Sequence, residues 1–188
     1  MTFVLVVVVA VVLLATFVTW VAGRLDRLHV RVEAARAALD AQLLRRAAVA
    51  ADLGACAGSL GLLPDGEVAA LAAAARSARS PDPDDREGIE NDLTRALRAA
   101  LAALPGDEAL ERHPPLMTLL GDLSSAVTRV GLARSFYNGA VDDTRVLRRT
   151  RLVRWLGLAG HALEPAYFEI DDTGLARPVT ARTGAHRR

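Results

Sequence analysis

Arg134, Tyr137 and Asn138 put a guanidinium, a phenol and an amide within about one helical turn of each other. Such a trio can line a cleft, as in an enzyme or an enzyme's regulatory subunit. It can equally act as a clamp, with the ring buried, its hydroxyl paired and the amide reaching to a neighbouring helix. Arg134 would then stack on the ring or pair with a carboxylate, for which Asp40 is one candidate. Tyr and Asn are both weak helix formers, so their place in a helical run calls for a reason. A buried hydroxyl without a partner costs about 1–3 kcal/mol, which makes a bonded Tyr137 the expectation.

A second polar group is Asp40, Gln42, Arg45 and Arg46. Gln42, Arg45 and Arg46 border an apolar stripe. They either contact an acidic partner or bundle neighbour, or form a solvated flank whose Arg stems cover apolar surface. The flank is the expectation for Arg45, less so for Arg46. Asp142-Asp143 and Asp171-Asp172 read as exposed acidic pairs rather than working carboxylates. Arg145, Arg148, Arg149, Arg151 and Arg154 are the densest basic run, either a solvated face or a surface for anionic headgroups.

Other chemistries find little footing. His29, His113, His161 and His186 show no metal-ligand spacing, and Cys56 stands alone. No nucleophile elbow, phosphate-binding glycine loop or zinc-protease motif occurs, so no catalytic residue, metal or cofactor is expected. Gly54, Gly58 and Gly61 read as helix packing or termination. The 23 basic and 22 acidic residues leave a charge of +1, and aromatics make up only 4% of the chain. Nucleic-acid binding is therefore not expected. All basic residues except His are Arg; coding bias explains this more simply than phosphate recognition.

Helices must position these groups. A composition 52% hydrophobic but poor in aromatics suits close helix packing by Ala, Leu and Val. Residues 3–22 are apolar without a charge, enough at about 1.5 Å per residue for the roughly 30 Å bilayer core. Phe3, Leu13 and Trp20 mark this anchor, with Trp20 at the interface. No basic residue precedes the run, and Trp20 would occupy a small-residue position of a cleavage site, so an uncleaved span is expected. Arg24, Arg27, Arg31 and Arg36 follow it, which puts the C-terminal part in the cytoplasm of a single-pass cell-membrane protein.

Beyond the span, Leu25, Leu28, Val32, Ala35, Leu39, Leu43, Ala47, Ala50, Leu53 and Ala57 recur at steps of three and four. Anchor and first bundle helix form one rod fraying near residues 58–61. Pro64-Asp65-Gly66 turns the chain into an Ala-rich helix ending near Arg79, with Asp65 as its cap. Asp84 or Asp85 caps a third helix carrying Ile89, Leu93, Leu97, Leu101 and Leu104. A long helix from about Leu116 carries Leu119, Leu123, Ala126, Val130, Ala133, Tyr137 and Ala140. A short apolar segment covers 152–160, an extended strip 166–170, and a disordered tail 171–188. The expected architecture is all-α: an antiparallel up-down bundle of about four helices, residues 24–170, on an anchor at 1–23.

Three blocks of this chain resemble the LemA family of bacterial membrane-attached helical bundles. They are RVEAARAALDAQLLRR at 31–46, ARSFYNGAV at 133–141, and the ending with Pro165, Tyr167, Phe168 and Glu169. The chain looks like a divergent member, since Thr144-Arg145 stands where a second Tyr-Asn often follows. The resemblance implies the fold and membrane attachment and little about molecular function. The leading expectation is a scaffold or adaptor at the lipid bilayer, with protein partners or self-association and no chemistry of its own. The alternatives are the enzyme-type cleft at Arg134, Tyr137 and Asn138, and a secreted coiled-coil protein.

Overall fold

The computed structural model describes residues 1–80, 82, 85–149, 165–171 and 175. Five helices follow one another: α1 (Thr2–Ser59), α2 (Asp65–Arg79), α3 (Arg86–Ala103), the single turn α4 (Asp107–Leu110) and α5 (Pro114–Arg148). No strand occurs among the described residues, and the fold is an all-α helical bundle. The apolar segment at 152–160, Asp84, Arg151, Arg154 and Asp172 lie outside the described residues.

α1 is unbroken from the apolar run into the bundle, because nothing between Thr2 and Ser59 is a proline. Its N-terminal part is long and apolar enough to cross a membrane. That part lies open to its surroundings, with Phe3 80%, Leu13 65% and Trp20 56% exposed. Thr16 and Thr19 donate their hydroxyls to the carbonyls of Val12 and Ala15, at 2.9 Å each, so both hydroxyls are paired within the helix. The helix ends by geometry. Gly61 adopts φ +66°, its N–H donates to Gly58 C=O at 2.9 Å, and Leu62 N–H donates to Ala57 C=O at 2.9 Å. This pair of bonds is the Schellman stop that a left-handed glycine permits. α5 begins two residues before the expected start, since Pro114 and Pro115 sit in a first turn that lacks intrahelical N–H partners in any case.

The chain forms two compact units, Met1–Ala38 with Arg134–Phe168 and Leu39–Ala133 with Glu169–Arg188. α1 and α5 each run through both units. The N-terminal half of α1 shares a unit with the C-terminal half of α5, and the reverse holds in the other unit, so these helices run in opposite directions.

In the second unit the core joins Leu53 and Ala57 of α1, Leu71 and Ala75 of α2, Leu93 and Leu97 of α3, and Leu116 and Leu123 of α5. α1 and α2 are antiparallel and close. A Cβ on Gly54 would lie 3.1 Å from Leu71 Cδ2, and one on Gly58 2.9 Å from Val68 Cγ2. α4, absent from the sequence reading, seats Leu110 in the core. Leu175 is 2% exposed and belongs to the same core; apart from Asp171 and Leu175, the tail expected to be disordered lies outside the described residues. A lone leucine carries no periodicity and gives no signal in sequence.

Candidate functional site

In the first unit, Tyr137 and Asn138 are bonded to the extended segment at 165–168. Tyr137 is buried, and its hydroxyl donates to Ala166 C=O at 2.8 Å. Asn138 works as a miniature strand edge. Its Oδ1 accepts the Phe168 N–H at 3.0 Å, and its Nδ2 donates to the Phe168 C=O at 3.2 Å. Two turns along α5, Arg145 donates from Nε to Pro165 C=O at 3.0 Å and lies over the Tyr167 ring, 4.4 Å from its centre. The Tyr167 hydroxyl donates to Asp142.

This corrects the expected reach of Asn138 toward a neighbouring helix. A helix has already paired its backbone groups, whereas an extended segment leaves an N–H and a C=O side by side that one amide can satisfy together. Arg134, on the same helix, is half-buried and engaged.

In the second unit, Arg46 and Glu90 are both fully buried, and Arg46 Nη2 bonds Glu90 Oε2 at 2.6 Å. Arg46 also donates to Glu90 C=O at 3.3 Å and to Thr94 Oγ1 at 3.4 Å. Arg86 approaches the other carboxylate oxygen of Glu90 at 3.2 Å and Asp40 at 3.8 Å. Two guanidinium groups thus share Glu90, while Asp40 closes the row at the half-exposed rim. Arg46 is no solvated flank. Arg45 is exposed, as expected, and Gln42 is half-buried with Oε1 shielded and without a hydrogen-bond partner.

The same unit holds residues 169–171 on α3. Glu87 Oε1 accepts the Glu169 N–H at 2.8 Å, and Asn91 Oδ1 accepts the Asp171 N–H at 2.9 Å. Arg98 pairs with Asp171 at 2.9 Å. Four residues of helix rise about 6 Å, and two residues of extended chain about 6.6 Å, so acceptors at i and i+4 meet alternate N–H groups.

Glu90, Arg86, Thr94, Glu87 and Asn91 were missed by sequence reasoning. One signal was there for Glu90. It falls in register with Leu93, Leu97, Ala100 and Leu104, as Arg46 does with Leu39, Leu43, Ala50 and Leu53. Opposite charges inside two apolar stripes predict a buried pair. The asparagine and glutamate acceptors carry no such mark.

Chemically, these groups are occupied by the chain itself. The Tyr137 hydroxyl, the Asn138 amide and the Arg46 guanidinium each bind a neighbouring segment. Among the described residues, no three His, Cys, Asp or Glu side chains gather as metal ligands. The fold and site define a class, an all-α bundle with one helix suited to a bilayer. Set beside protein-family models, curated proteins and solved structures, the chain matches none of them.

Proposed function

We propose that this protein is a single-pass, membrane-anchored scaffold or adaptor of LemA type that performs no chemistry of its own. The observation carrying this reading is that each of the three resemblance blocks contributes residues that bind other parts of the chain. Arg46 holds Glu90, and Tyr137 with Asn138 holds the 165–168 segment. Residues spent on internal bonds hold a shape, and a shape held on a membrane stalk suits the display of surfaces to partners. The cleft reading would need Tyr137 and Asn138 to face a concavity, and no observation favours it.

The bundle lies in the cytoplasm in this account, from the cluster of Arg24, Arg27, Arg31 and Arg36 directly after the span. Two experiments test attachment and sidedness separately. Alkaline carbonate washing leaves the protein in the membrane pellet; release into the supernatant refutes the anchor. Alkaline phosphatase fused to the C-terminus stays inactive, because it needs an oxidising compartment. An active fusion reverses the sidedness.

A further inference from the structure

The near-neutral total charge hides a segregation. The described residues of the first unit hold eight arginines against four carboxylates, and those of the second nine against fifteen. The positive unit is the one that contains the apolar run.

Within it, the arginines are placed at the end of the span. Trp20, Arg24, Arg27 and Arg31 follow one another at steps of four, three and four, on one side of α1. Side chains on a helix lean toward its N-terminus. Accordingly the Arg24 guanidinium lies over Trp20, 5.8 Å from the ring centre, and Arg27 Nη1 lies 3.6 Å from the place of a Cβ on Gly23. Both cations reach one turn back toward the apolar run. Arg31 is taken by Asp143 at 3.0 Å, while Arg24 and Arg27 have no ion pair among the described residues.

α5 brings a further cation to this level. It runs opposite to α1, and Asp143 stands beside Arg31. Arg149, exposed at the end of α5, lies six residues beyond Asp143, about 9 Å along the axis toward the span. Val21, at the end of the apolar run, and Leu25, just beyond it, are each 4% exposed, so α1 is packed against as it leaves the run.

We infer that Arg24, Arg27 and Arg149 form a binding surface for the phosphodiester headgroups of anionic phospholipids. The inference rests on the membrane span of the proposed function. A cationic side chain held at the headgroup level strengthens anionic-lipid binding on the order of fivefold. Guanidinium suits the role because its donors match two phosphate oxygens at once.

The test uses the purified full chain in nanodiscs of mixed phosphatidylcholine and phosphatidylglycerol. Native mass spectrometry then reads the lipids that remain bound. Insertion into discs reports on the span, so failure of the anchor and failure of the lipid surface give different results. The wild-type protein retains phosphatidylglycerol several-fold over phosphatidylcholine. The variant Arg24→Gln/Arg27→Gln/Arg149→Gln, with an unchanged helical circular dichroism spectrum, loses most of that preference. Arg76→Gln/Arg79→Gln, in the second unit, keeps it. Arg149→Gln alone, at an exposed helix end, carries the test if the triple variant does not fold, with a partial loss expected. Equal retention of both lipids by the wild type overturns the proposal. So does a preference that survives removal of the arginines.

Discussion

At the scale of single residues, Tyr137, Asn138, Arg46 and Glu90 carry the account. Tyr137→Phe keeps the ring and removes one hydroxyl, leaving the Ala166 carbonyl unpaired. The expected loss is about 1 kcal/mol, a few degrees in a thermal melt followed by circular dichroism in detergent. Asn138→Leu removes two bonds to Phe168 and costs about 2 kcal/mol, with little change in helix content. An unchanged midpoint for both variants would contradict the clamp. The Arg46–Glu90 pair behaves differently, because burying charge is costly and breaking a buried pair leaves its partner stranded. Glu90→Leu alone is expected to lose about 3–5 kcal/mol by denaturant unfolding. Adding Arg46→Met removes the stranded cation and recovers most of that loss. A double variant as unstable as the sum of the two singles would mean that the pair is not a coupled unit.

At the scale of elements, close approach and segment docking decide the fold. Gly58 faces Val68 at a distance that admits no Cβ without movement, and valine is too short and too branched to swing away. Gly58→Leu is therefore expected to lower stability by about 1–3 kcal/mol, read as a fall in the melting midpoint. A rise would show that α1 and α2 have room to separate. The helices themselves were legible in the sequence. Apolar steps of three and four marked α1, α3 and α5, because burial on one face writes that period directly, while α2 was marked by the Pro64-Asp65-Gly66 turn and its Ala-rich run. The turn α4 was not legible, being too short to show a period. The docked strip was named at 166–170, yet its acceptors on α3 and α5 were not identifiable. Side chains such as Glu87 and Asn91 that bind a distant backbone look like any polar residue on a helix surface. Arg46 was visible as a polar residue near an apolar stripe. Its burial became visible only with Glu90 in the corresponding stripe of α3.

At the scale of the whole molecule, the apolar run, the bundle and the internally bound motif residues combine into one reading: a fixed shape presented at a membrane. The chain contains no lysine, so ordinary amine-reactive crosslinkers have only the N-terminus to attack. The twenty-two acidic side chains offer a better handle. The most direct measurement of the scaffold claim is carboxylate-directed crosslinking in native membranes, followed by mass spectrometry of the purified full chain. The account predicts crosslinks, repeated between preparations, from exposed carboxylates to one other protein or to a second copy of this chain. Crosslinks confined to pairs within a single copy would contradict it.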